Sequence, residues 1–163
     1  LRDGFHPQST GGQVELRSDD TPVLDYKISE YVWQGVRHSL LAMGEMQFAA
    51  GATMAMPAHD QATPQTSFAA YKKALEALPM EVLRSRVVSA HVMGGCRMGS
   101  DPKNAVINAD GQHHHLRNLH VIDGSMFPTS IGANPQLSIY GIAARNAAKL
   151  ALQLTGKPAP ALA

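Results

Sequence analysis

The sequence predicts a mixed α/β (α+β) architecture: a few short strands, long loops and two or three helices. Three observations carry this. Residues 30–50 and 135–154 repeat apolar groups near the 3.6-residue period of a helix. Residues 13–19 alternate apolar and polar groups as a strand does. Between these segments lie stretches rich in Gly, Pro, Asp and Thr, which interrupt any continuous sheet or bundle.

The composition fits a globular domain. The chain has 163 residues, 44% of them apolar and 17% charged, enough for a sizeable core. Net charge is +1 and Lys and Arg form no cluster or stripe, so nothing recommends a nucleic-acid partner. A single cysteine, Cys96, excludes an internal disulfide and a Cys-rich metal site. No apolar run reaches the roughly 18–20 residues of a membrane span. The sequence shows no signal-peptide pattern, and it begins at Leu1, which leaves an upstream portion or a removed initiator open. Compartment stays open as well, between cytoplasmic and peripherally membrane-associated.

Taken in order, the elements are these. The opening LRDGFHPQSTGG is turn-rich. QVELRSD (13–19) reads as a half-buried strand with Val14 and Leu16 on one side. VLDYKI (23–28), after Pro22, is a second strand or an irregular crossing. Residues 30–50 place Val32, Val36, Leu40, Met43 and Phe48 on a helix of roughly 18 residues, weakened by Gly35 and Gly44. Residues 51–66 form a loop. SFAAYKKALEAL (67–78) is a helix with Ser67 as N-cap and Pro79 as stop. RVVSAH (86–91) is a short strand that delivers His91 to the Gly94-Gly95 turn. Asp110-Gly111 signals a hairpin. LHVID (119–123) is a short buried strand. PQLSIYGIAARNAAKLALQL (135–154) is a helix with Leu137, Tyr140, Ala144, Ala147, Leu150 and Ala151 on one face, and GKPAPALA follows it as a loose tail.

The chemistry concentrates in the second half. Asn134 is a favoured N-cap and Pro135 a favoured first helical residue. The N–H groups beyond Pro135, including that of Gln136, point out of the helix end and favour an anion or an electron-rich ring. Asp123-Gly124 follows a strand, where ligands of α/β proteins gather; Asp123 can accept from hydroxyls and Gly124 permits close approach. The bland alternatives are helix capping and an Asx turn. His91 has the side chain of a general base near neutral pH, although a lone histidine is more often structural. Cys96 reads as a small packed apolar residue. No GxSxG motif points to a hydrolase. His113, His114 and His115 invite a metal reading, yet consecutive residues do not converge on one point and no HExxH-like partner spacing exists.

HVMGGCRMG (91–99) and NLHVIDGSMFPTSIGANPQLSIYGIAARNA (118–147) resemble the C-terminal signature of the glucose–methanol–choline (GMC) oxidoreductases. The resemblance is nearest to the bacterial alcohol dehydrogenase and sterol oxidase-like branch. GGQVELRSD, PVLDY and the helix ending in AAGA resemble the substrate-domain segment of the same family, so the likeness covers almost the whole chain. It implies a C-terminal fragment of a two-domain FAD-binding oxidoreductase, part antiparallel substrate-domain sheet and part flavin-domain strand and helix. Residues 1–85 would be a late segment of the substrate-binding domain, and 86–163 the C-terminal segment of the FAD-binding domain. The family's GxGxxG fingerprint is N-terminal and does not occur in this sequence. The implied partner is therefore the flavin-binding portion of the same enzyme, and the fragment alone would be inactive.

The resemblance also implies roles. His91 would take the proton of an alcohol substrate while hydride leaves for flavin N5. Asn134, which cannot accept that proton, would hold the substrate oxygen. Asp123 and Gly124 would lie near the pyrophosphate and ribityl part of FAD, with Asn134, Pro135 and Gln136 at the pyrimidine side of its ring. The alcohol is not specified, nor is the electron acceptor, whether oxygen, a quinone or another. Two alternatives stand beside this: a non-catalytic, truncated or partner-dependent fragment that binds no flavin alone, and a metal-binding protein using His113–His115.

Overall fold

The computed structural model describes Asp3, Gly4 and residues 6–159. Leu1, Arg2 and Phe5 of the opening segment and residues 160–163 of the tail lie outside the described residues. The chain forms two compact units, Leu1–Val88 and Ser89–Ala163.

The first unit begins with an antiparallel ribbon of β1 (Gly12–Leu16) and β2 (Pro22–Tyr26), with Val14 opposite Leu24. The turn between them closes through Arg17 N–H to the Thr21 carbonyl and Asp20 N–H to the Arg17 carbonyl. Asp20 takes a positive φ of 62°, tolerable for a short polar side chain. VLDYKI is thus a strand through Tyr26. The expected half-burial is absent: Val14, Leu16 and Leu24 are all exposed, because no helix or further strand among the described residues covers either face of the ribbon.

Helix α1 (Glu30–Ala49) starts at Ser29, whose hydroxyl accepts the Val32 N–H. It buries Val32, Val36, Leu40 and Gly44, a stripe at steps of four. Met43 was expected on this stripe; it is exposed, and glycine takes the contact instead. Helix α2 (Phe68–Ala77) starts at Ser67 as its cap and ends before Pro79. Its Tyr71 and Leu75 complete a core with the three apolar α1 residues and Ala55. Two polar groups fasten this core. Arg37 donates to the Leu75 and Leu78 carbonyls at 2.5 and 2.8 Å, satisfying the open end of α2. His59 is buried; Nδ1 accepts the Gln61 N–H and Nε2 donates to the Pro79 carbonyl at 2.7 Å, so its role is structural.

The second unit carries helix α3 (Gln136–Thr155), which ends at a left-handed Gly156. Its core is Ile107, Met126 and Phe127, with Met93, Met98, Val106, Val121, Ile139 and Ile142 packed around them. The Asp110-Gly111 hairpin forms: Gly111 has φ +81°, Asn108 Oδ1 accepts the Asp110 and Gln112 N–H groups, and Ile107 pairs antiparallel with His113.

Three sequence expectations fail here. RVVSAH and LHVID are not strands, because their backbone groups find partners singly. Arg86 N–H bonds the Ala58 carbonyl, Val121 N–H bonds the Gly111 carbonyl, and His120 makes an isolated bridge to Gln112. The packed face of α3 is also the other one. Ile139, Ile142 and the fully buried Asn146 turn inward, while Leu137 and Tyr140 are exposed.

Candidate functional site

Two loop segments are stitched together at the start of the second unit. Cys96 N–H donates to the Ser125 carbonyl at 3.1 Å, and Met98 N–H to the Met126 carbonyl at 2.8 Å. The residues after Asp123 form a short 3-10 turn, Gly124–Met126. Gly124 lies close against the chain itself: a Cβ there would sit 3.1 Å from Ile139 Cδ1 and 3.6 Å from the Val92 carbonyl oxygen. The absence of that carbon lets the segment after His91 and helix α3 approach the same turn. Gly124 therefore acts first in internal packing.

This convergence leaves an open cavity of about 620 Å³. His91, Asp123, Gly124, Asn134, Pro135 and Gln136, the six residues singled out in the sequence, all line it. Val92, Ile139 and Tyr140 add apolar wall. The size falls within the ~300–1,000 Å³ range of small-molecule sites.

The polar groups of the cavity divide into engaged and open ones. Asp123 Oδ1 accepts from the Ser125 N–H at 2.7 Å and the Ser125 hydroxyl at 2.6 Å, an Asx-type turn. Asp123 is exposed, and its second carboxylate oxygen has no hydrogen bond to another described residue. His91 and Asn134 are exposed and make no hydrogen bond to another described residue. Asn134 was expected to cap α3. Instead Pro135 occupies the N-cap in the helical region, with φ −85° and ψ −5°, and no side chain caps the helix. The first helical bond is Ile139 N–H to the Pro135 carbonyl at 2.8 Å, so the N–H groups of Gln136, Leu137 and Ser138 have no acceptor within the helix. The result is an uncapped helix end with a free carboxamide beside it and an imidazole on the same cavity.

The triple histidine is tied into local bonds, with the His113 and His115 rings edge to face at 6.0 Å. His113 Nδ1 accepts the His115 and Leu116 N–H groups at 3.1 Å each, and His114 Nε2 lies 3.0 Å from the Gly99 carbonyl. No group of three or more His, Cys, Asp or Glu with metal-ligating geometry occurs among the described residues. Cys96 is a half-buried free thiol. On the far side of the unit, Lys149 at 2.5 Å holds the Asp110 carboxyl below the usual carboxylate range, with Arg145 adding to the effect. No helix among the described residues is long and apolar enough to cross a membrane.

Sequence reasoning placed Tyr140 on an apolar face of the helix and did not read it as a cavity residue. The signal was present: Gln136 and Tyr140 are spaced i, i+4 on one helix face, and the Gln136 side-chain amide donates to the Tyr140 hydroxyl at 2.7 Å.

A cavity of this size with polar groups at an open helix end has the make-up of a small-molecule site. Comparison with known sequences places it in a family. The GMC oxidoreductase family model matches residues 7–143, and the chain belongs to that family. A long-chain-alcohol oxidase of Arabidopsis thaliana is 27% identical over 132 residues, covering 77% of this chain and 18% of that protein. A cholesterol oxidase of Acinetobacter baumannii is 38% identical over 65 residues, covering 40% of this chain and 12% of that protein. The paromamine 6'-oxidase of Streptomyces fradiae is 38% identical over 69 residues, covering 42% of this chain and 13% of that protein. The chain thus spans less than a fifth of the length of these relatives.

Proposed function

We propose that this chain forms the substrate-facing end of an FAD-dependent alcohol oxidoreductase, with the remainder of the flavin site supplied by another portion of the same enzyme. The observation that supports it most is the joint placement of His91, Asn134 and the uncapped α3 end around one cavity, all without competing partners. A side-chain cap would have closed that end, and its absence leaves donors for an electron-rich ring. The donor set fits the flavin: backbone N–H groups and the Asn134 amide for ring acceptors, apolar wall at Val92 and Ile139, and an open oxygen on Asp123 for a hydroxyl. On this reading residues 1–85 belong to the substrate-binding domain and residues 86–163 to the FAD-binding domain.

Bound FAD would supply the acceptor for a hydride from the alcohol carbon. The chain's residues do the rest. The unprotonated ring nitrogen of His91 takes the hydroxyl proton, which raises electron density on the oxygen as the C–H bond weakens. The Asn134 side-chain N–H donates to that oxygen and fixes its position; it has no basic atom and leaves proton transfer to His91. Pro135 holds the first turn in helical geometry so that the Gln136 N–H points into the cavity. The relatives suggest an alcohol carried by a lipophilic or sugar framework, and their names favour oxygen as acceptor.

The test is flavin reduction by stopped flow under anaerobic conditions, in the protein expressed from its natural gene. Long-chain primary alcohols, cholesterol and paromamine serve as substrates. His91→Ala should slow reduction by about 10²–10⁴-fold while flavin content is retained. Reduction at the wild-type rate would remove His91 from the chemistry.

A further inference from the structure

We infer that Tyr140 is a ligand-facing hydrogen-bond donor of this cavity, aimed at the flavin, and that Gln136 is its positioning residue. The inference rests on the flavin reading above and adds to it a contact that reading does not contain.

Tyr140 lies on the second turn of α3 and lines the cavity, yet it is 59% exposed. An exposed aromatic ring in a concave, mostly apolar wall offers a flat surface and one polar tip. That tip is already held. The Gln136 amide donates to the hydroxyl oxygen at 2.7 Å, across one helical turn. A phenol that accepts one bond still has its own proton to give. No other described residue takes that proton. The same helix end leaves its first amides without intrahelical acceptors, so phenol and amides together present donors only. A ligand that answers them carries acceptors. The electron-rich pyrimidine side of a flavin does, and a bare hydrocarbon chain does not. Gln136 restricts rotation about the phenol C–O bond, which lowers the ordering cost of the contact.

The experiment uses the protein expressed from its natural gene, stripped of flavin and titrated with FAD, with affinity and the bound-flavin absorption spectrum as readouts. Tyr140→Phe keeps the ring and removes the donor. It should raise the FAD dissociation constant about three- to tenfold, the effect of one hydrogen bond, and shift the flavin spectrum, with the thermal midpoint unchanged. Gln136→Leu should act in the same direction but less, and should add nothing in the Tyr140→Phe background. Equal affinity and an identical spectrum in Tyr140→Phe would overturn the Tyr140 contact and leave the flavin reading standing. A change confined to the alcohol KM would also overturn it, assigning the phenol to substrate instead. A thermal shift without a spectral one would reduce the pair to a helix-surface contact. Failure of the wild-type protein to bind FAD would overturn the flavin reading itself.

Discussion

Gly44→Ala separates helix propensity from packing by sign. In an exposed helix the change would stabilise by about 0.5–1 kcal/mol, because glycine loses more backbone entropy than alanine. At position 44 the new Cβ would lie 2.3 Å from Tyr71 Cε1 and 2.7 Å from Cδ1 and Cζ. Comfortable carbon contacts need about 3.5–4.0 Å, so ring or helix must shift by more than about 1 Å. Tyr71 has nowhere to go. It is 2% exposed, its hydroxyl donates to the Leu40 carbonyl at 2.9 Å, and Phe48 packs edge-on at 6.3 Å. Overpacking of this kind costs about 1–3 kcal/mol, with about 1 kcal/mol more if the phenol bond breaks. The net expectation is a loss of about 1–3 kcal/mol, or roughly 2–12 °C in Tm for a protein of this size. Urea denaturation should show a lower midpoint at unchanged slope. In a Tyr71→Ala background the clash is gone and Gly44→Ala should become neutral or stabilising. A more stable Gly44→Ala variant with Tyr71 intact would refute the reasoning.

Three further outcomes follow from the same contacts. Asn134→Ala should leave stability within about 0.5 kcal/mol, since the side chain caps nothing, while slowing flavin reduction; loss of stability by calorimetry would show a capping role. Arg37→Leu should destabilise by about 2 kcal/mol in urea, because it strips donors from the Leu75 and Leu78 carbonyls at the end of α2. The Asp110 carboxyl is held low mainly by its bond to Lys149, so its contribution to stability is present above about pH 4 and is lost as pH falls further through the depressed value. Asp110→Asn should flatten that acid limb in Tm measured against pH, and added salt should flatten it in the parent protein.

The parts legible in the sequence were those set by neighbours within a turn or two. Ser67 and Pro79 bracket α2 because capping and proline geometry are local. The β1–β2 ribbon follows from alternation and a polar turn. The six cavity residues come from two compact motifs, so their types announced themselves before their geometry did. What was not legible depended on distant partners. Gly44 reads as a weak point in a helix until Tyr71 is seen filling the space of its missing side chain. RVVSAH and LHVID have strand composition, but a ladder needs a partner strand and neither finds one among the described residues. Asn-Pro has the local pattern of a cap, yet the helix begins one residue later, and Asn134 is left beside the cavity.

Helix α3 shows why periodicity alone picked the wrong face. It carries two apolar stripes. One, through Ile139 and Ile142 and flanked by the buried Asn146, packs on the second core; the other, through Leu137, Tyr140, Ala144, Ala147 and Leu154, is exposed, with Leu137 at 83% and Leu154 at 77%. A helix apolar on two sides is the pattern of an interior element. On the proposed reading, the rest of the enzyme covers the second stripe, and Leu154 tests this at a distance from the chemistry. It lies eighteen residues beyond Gln136, roughly 27 Å along the helix at 1.5 Å per residue, too far to touch the cavity. In the protein expressed from its natural gene, Leu154→Glu would then bury a carboxylate against apolar surface and should destabilise by at least about 2 kcal/mol in urea denaturation, with flavin reduction unchanged in the fraction that stays folded. A solvent-facing stripe predicts a change within about 0.5 kcal/mol instead, and that result would mean that α3 is not covered on this side.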